Sequence, residues 1–300
     1  MKAVLLLNGH GLPMAQVQDR PFIQHVIEQL VERGVREISL LYGQPHEAAA
    51  RYLGDGTRWG IRVEAIPVLG QGAAADLERA CASCPSGLVL LGNAGRLAHL
   101  PTAPGQAGPW STLYFDEEDG VGGWSGWALL EAQVLPGFGA ATASGSGWRE
   151  AARASGVSAR KVFLEFPTLS CASPKEILAA NRRALTGEFP GLFCNGRERE
   201  AGIRVARGAR IPASATLRSP CYIGEDAWIG DKCTIGPYAV IAAGAVIEQR
   251  SRVAGSVIGP KTFLGPELEI TDSLVERNHV HNVRLDVDFV VEESHIVSAI

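Results

Sequence analysis

From Val205 onward, one branched apolar residue returns every sixth position: Val205, Ile211, Leu217, Ile223, Ile229, Ile235, Ile241, Ile247 and Val253. If about a quarter of positions were Ile, Leu or Val, such a run would arise by chance about once in several hundred thousand trials. A period of six suits neither an ordinary helix (3.6) nor a plain strand (2). It suits short strands separated by turns, each sending one side chain into a narrow prism, and Gly224, Gly230 and Gly236 directly after three of these residues mark the turns. The register slips by one to Ile258 and Gly259, then resumes at Leu264, Gly265 and Ile270. A rod of this kind has open ends and flat faces, so self-association is expected.

The preceding residues have a different texture. Lys2–Leu7, Ile38–Tyr42, Ile61–Ile66 and Gly87–Leu91 read as buried strands, and apolar residues at helical spacing from Phe22 to Val31, Pro45–Leu53 and Ala73–Ala82 read as helices between them. This alternation predicts a Rossmann-like, doubly wound, mostly parallel α/β sheet with its ligand site at the carboxyl ends of the strands. From Ala94 to Gly147 the pattern weakens into Gly, Pro and Ser, with strand-like Ser111–Phe115 and Gly126–Glu131 inside it. A capped helix follows, with Ser173 as N-cap, Pro174 in the first turn, Glu176 completing a capping box and Gly187 as the stop. The expected organisation is an α/β domain over 1–190, a linker over 191–204 and a repeat rod over 205–300.

Several function classes are disfavoured by composition. The chain has 300 residues, 46% apolar and 20% charged, with a net charge of −4 and no basic stripe, which speaks against nucleic acid as a partner. No apolar stretch is long enough for a membrane span and no signal peptide is recognisable, so a cytoplasmic protein is expected. Six scattered cysteines lack disulfide density, and the one C-x-x-C, Cys81 with Cys84, has no second pair of ligands nearby for zinc.

Three segments carry a family resemblance. MKAVLLLNGHG at the N-terminus, Tyr52-Leu53-Gly54-Asp55-Gly56-Thr57-Arg58-Trp59-Gly60 and Ser173-Pro174 through Ala180-Asn181 resemble the sugar-nucleotide pyrophosphorylases, or NDP-sugar nucleotidyltransferases. The second segment matches that family's Y-L-G-D-G-x-x-W-G at every fixed position, and its physical reading is a turn with Trp59 packed beneath it. With the six-residue repeat, which resembles the hexapeptide left-handed β-helix, the likeness is closest to the mannose-1-phosphate guanylyltransferase branch. The resemblance implies nucleotide contacts at Leu7, Asn8, Gly9, His10, Gly11 and the loop Gly70, Gln71, Gly72, and sugar contacts at Asn93 and Gly126.

The same resemblance exposes what is missing. The family's triphosphate loop continues with an arginine and a lysine, whereas here Leu12 and Pro13 follow Gly11 directly and the lysine falls on Leu12. The two magnesium-holding aspartates fall on Asn93 and Ser170. Each lost electrostatic contact typically costs about 10²–10³ in rate, so the four together remove on the order of 10⁶ or more even with non-additivity. Lys2, Arg20, Asp76 and Arg96 are the charges left near the predicted strand ends.

The expected function is a non-catalytic, nucleotide-sugar-binding regulatory or scaffolding subunit of polysaccharide precursor supply. No catalytic residue, metal ligand or cofactor is expected, with magnesium entering only if the chain is active. A homo-oligomer through the β-helix is anticipated, with a hetero-oligomer beside an active pyrophosphorylase as a further arrangement. The alternative is an active sugar-1-phosphate nucleotidyltransferase of the mannose-1-phosphate guanylyltransferase type. A hexapeptide acyltransferase is the third reading, but it needs a histidine base in the rod, and none lies between Val205 and Ile270.

Overall fold

The computed structural model describes the chain except residues 8, 69–75, 77–79, 81–86, 102–110, 119–120, 136, 139–147, 155, 157–158 and 193. The predicted contacts at Asn8, Gly70, Gln71 and Gly72, the Cys81 and Cys84 pair and most of the helix expected over 73–82 lie outside the described residues. Two compact units form: Met1–Met14 with Ile23–Ser170, and Ala15–Phe22 with Cys171–Ile300.

The first unit holds a seven-stranded sheet in the order Ala159–Phe163, Ser111–Glu118, Val121–Glu131, Leu88–Asn93, Lys2–Leu7, Glu37–Tyr42, Arg62–Pro67. Lys2–Leu7 lies in the interior of the sheet, parallel to both Glu37–Tyr42 and Leu88–Asn93. Ala3 to Leu7 are all buried, the burial on both faces that a continuous apolar run implies for a parallel strand. Ile23, Val26, Ile27 and Leu30 bury one stripe of the helix Phe22–Glu32. The stretch that was weak in the sequence contains an antiparallel hairpin, Ser111–Glu118 with Val121–Glu131, and Val121–Glu131 also runs antiparallel to Leu88–Asn93.

Trp59 is half-buried, and its partner is a neighbour in sequence. The Arg58 guanidinium lies 3.7 Å from the Trp59 ring centroid and 4.1 Å from that of Tyr52. Asp55 Oδ1 accepts the Thr57 N–H at 3.0 Å, and this bond, followed by the Thr57 side chain, holds the carboxyl below its ordinary range. The segment is a cation–π stack over an Asx turn and carries no reactive group.

The second unit contains the repeat rod. Its coils stack with parallel pairs on three faces: Ile223 on Ile241, Ile229 on Ile247 and Ile235 on Val253. These pairs are eighteen residues apart, three times the sequence period. Past the slip the coil shortens to seventeen, pairing Ile241 with Ile258, Ile247 with Leu264 and Val253 with Ile270. One residue is missing, between Val253 and Ile258, and all three pairings span that single shortened step, so the apolar column stays aligned on every face, giving the hexapeptide left-handed β-helix the repeat foretold. Antiparallel strands extend both ends: Arg197–Glu200 on Ile203–Val205, and Ser273–Glu276, His279–Asn282 and Val287–Val290 in a meander.

The helix Pro174–Thr186, read from the sequence with the α/β domain, belongs to the second unit. Ser173 is its N-cap, Oγ accepting the Glu176 N–H at 3.3 Å, a bond worth about 1 kcal/mol. Asn181 gives the physical reason for the grouping. Its buried amide accepts the Gln18 N–H through Oδ1 at 2.8 Å and donates through Nδ2 to Gln16 O at 2.8 Å and Ile177 O at 3.0 Å. The two-stranded hairpin of Gln16–Val17 with Arg20–Pro21 is thereby fastened to the helix. No helix among the described residues is long and apolar enough to cross a membrane.

Candidate functional site

The carboxyl ends of Lys2–Leu7 and Leu88–Asn93 lie side by side, with Leu6 opposite Asn93. Leu7 is buried and its carbonyl accepts the Gly43 N–H at 3.1 Å, so it shapes the floor rather than facing a ligand. Gly9 and His10 are exposed, and Gly11 and Leu12 are half-buried. His46 Nε2 lies 3.0 Å from Gly9 O. Burial is the main effect pushing the His46 ring below its ordinary range, so at neutral pH it is uncharged and donates Nε2–H to that carbonyl. The turn after the first strand is therefore pinned by a neutral imidazole, with no arginine or lysine within Gly9–Pro13.

The second strand end is more tightly built. Asn93 Oδ1 accepts the Gly95 N–H at 2.9 Å, closing a turn that aims Arg96 across the corner, where its Nη1 donates to Trp124 O at 3.1 Å. Arg96 also pairs with Ser170 in a two-stranded ladder of Arg96–Leu97 with Leu169–Ser170. Gly126 sits at φ +90°, and a Cβ there would stand 3.2 Å from both Asn93 Cβ and Arg96 Cδ, which explains the glycine by close approach. Trp127 fills the space above Gly92, where an added Cβ would lie 2.3 Å from the indole, and its Nε1 donates to Arg96 O at 3.0 Å. Trp124 Nε1 donates in turn to Trp127 O at 3.2 Å.

One corner of the first unit therefore brings together Asn93, Gly126 and Ser170, all singled out in the sequence, with Arg96, Trp124 and Trp127. Arg96 stood in the sequence only as a leftover charge, and the two tryptophans were not singled out there. Asp116, buried, accepts from Thr168 N–H at 2.8 Å and from Thr168 Oγ1 at 2.7 Å, and so holds the segment leading into Ser170. Lys2 is at the opposite end of its strand and donates to Ala80 O at 2.9 Å. Arg20 belongs to the second unit, 3.5 Å from Asp19 Oδ2.

The chemistry of the corner is amide, hydroxyl, indole and guanidinium. Among the described residues no group of three or more His, Cys, Asp or Glu is placed to hold a metal ion. Magnesium fits this donor set poorly, because a hard dication needs anionic oxygens and here meets a fixed cation and an apolar ring.

The bacterial transferase hexapeptide (six repeats) family matches residues 226–260, inside the rod. Among solved structures, a Bacillus anthracis protein described as a glucose-1-phosphate thymidylyltransferase, in complex with a sucrose, is similar in fold. Its TM-score is 0.52 at 12% sequence identity, over 61% of this chain and 94% of that one. Comparison with curated proteins finds no match. The chain thus joins a nucleotidyltransferase-like α/β fold to a hexapeptide-repeat β-helix.

Proposed function

We propose that the α/β unit binds a nucleotide sugar without carrying out nucleotidyl transfer, and that the chain serves as a regulatory or scaffolding subunit in sugar-nucleotide supply. The supporting observation is Arg96. Its guanidinium, anchored on Trp124 O and flanked by Asn93 and the Ser170 ladder, occupies the corner where a transferase of this fold needs two carboxylates and a divalent ion. A guanidinium suits phosphate oxygens directly, so a diphosphate can be neutralised there with no metal between. In this reading the sugar lies beside Asn93 and Gly126, and the turn Gly9–Gly11 offers backbone N–H groups to the other phosphate. GDP-mannose is the first ligand to try, from the branch the sequence resembles.

Thermal shift with GDP-mannose, UDP-glucose, dTDP-glucose and the free nucleotides tests this, with and without magnesium. One of the diphosphate sugars is expected to raise Tm by several degrees without magnesium. Arg96→Gln is expected to weaken that binding about tenfold or more. A flat response across the panel, or a shift that requires magnesium and survives Arg96→Gln, would contradict the proposal.

A further inference from the structure

The last strand of the meander, Val287–Val290, ends the eight-stranded sheet, so its outer edge has no neighbouring strand among the described residues. Its surroundings concentrate exposed apolar side chains: Leu285 is 66% exposed, Val287 42%, Phe289 48% and Val290 55%. Phe289 pairs with Val280 on the adjacent strand, and Val280 is buried in the core of the rod. Directly paired residues share a face, so Phe289 and Val287 lie on the core-facing side of the sheet, beyond the last place where the rod covers it. The apolar core therefore overhangs its own end.

The hydrogen-bond parity of the strand says what can fill that edge. Val291 N–H donates to Asn278 O at 2.8 Å, and the same register pairs Phe289 with Val280 and Val287 with Asn282. In an antiparallel ladder bonded pairs alternate, so the odd residues bond inward while Asp288 and Val290 aim their N–H and C=O groups at the free edge. We propose that this edge pairs antiparallel with the same strand of a second copy of the chain, about a twofold axis between the two Phe289 side chains.

In that register Asp288 and Val290 of the partner subunit exchange backbone hydrogen bonds, and Phe289 faces Phe289 of the partner subunit in the closer, non-hydrogen-bonded position. Val287 faces Val291 of the partner subunit, so the two overhanging core ends close on each other. A twofold axis normal to the sheet keeps each residue on its own face, and alternative registers therefore differ by steps of two. The neighbouring steps set Asp288 against itself or against Glu292 of the partner subunit, like charges directly opposed. In the favoured register the acidic Asp286 and Glu292 meet only outside the paired segment. An isologous contact of this kind closes at a dimer, and the pairing draws on nothing but the strand's own sequence.

Sedimentation velocity and oxidative crosslinking of the full chain test the pairing. The unmodified protein is expected to sediment as a dimer, and Phe289→Asp as a monomer with an unchanged circular dichroism spectrum. Phe289→Cys is expected to form a disulfide-linked dimer under mild oxidation. Val290→Cys, whose opposite residue is Asp288, is expected to stay at the background of the unmodified chain. A monomeric unmodified protein, an oligomer that survives Phe289→Asp, or equal crosslinking at both cysteine positions would overturn the proposal. None of these outcomes depends on whether the α/β unit binds a ligand.

Discussion

Replacing Asn181 with leucine is expected to cost the second unit about 3–5 kcal/mol. The side chain is 2% exposed and makes three hydrogen bonds that no water can replace. Leucine has nearly the same volume, so packing changes little, but Gln18 N–H and Gln16 O lose their partners inside the fold. Each stranded polar group costs about 1–3 kcal/mol. Asn181→Asp separates the contributions, since a carboxylate still accepts from Gln18 N–H while it opposes Gln16 O with a second acceptor. Urea unfolding followed by circular dichroism should rank the proteins as wild type, then aspartate, then leucine. A loss below about 1 kcal/mol for leucine would mean that the hairpin is held by other contacts.

Ile241→Ala is expected to cost about 3–4 kcal/mol. Ile241 is fully buried and stacked between Ile223 and Ile258 in neighbouring coils. The coil cannot collapse into the space left behind, because backbone already meets backbone beside it: a Cβ on Gly224 would stand 2.6 Å from the Ala242–Ala243 peptide. Ile241→Val, which removes a single methylene, should lose only about 0.5–1.5 kcal/mol. Because coils touch only their neighbours, the larger cavity should also broaden the transition as the two halves of the rod uncouple. Denaturant midpoints for the two variants check this, and equal losses would indicate a core that repacks.

These two residues also mark how far the chain could be read without its structure. The column containing Ile241 was legible because a prism admits one branched side chain per face per coil, and no other architecture repeats at six. Even the slip before Ile258 was visible, though its meaning, a seventeen-residue coil, required the stacking. Asn181 was legible only as part of a resemblance. Its partners Gln16 and Gln18 lie more than 160 residues away, and no local pattern announces a long-range amide clamp. The hairpin they sit in is two residues per strand, too short for any periodicity to register.

At the candidate site the apolar strand Lys2–Leu7 and the turn glycines were plain from composition and spacing, and Asn93, Gly126 and Ser170 were singled out by resemblance. The roles of Arg96 and Trp127 were not, because each depends on a contact across the antiparallel strand Val121–Glu131. Its glycines, Gly122, Gly123 and Gly126, dilute the alternation that would have identified it as a strand. The last strand of the end meander escaped for a different reason: Val287–Val290 is exposed throughout, so it follows no burial period.

The central claim is that the corner around Arg96 can hold a diphosphate yet cannot drive its departure. Incubating the pure protein with GTP, ATP or dTTP, a panel of sugar 1-phosphates and magnesium, and following pyrophosphate release, measures this directly. The expected result is no release above a protein-free control for any pair. Turnover that depends on magnesium and disappears in Asn93→Ala would contradict the account and establish the chain as a working nucleotidyltransferase.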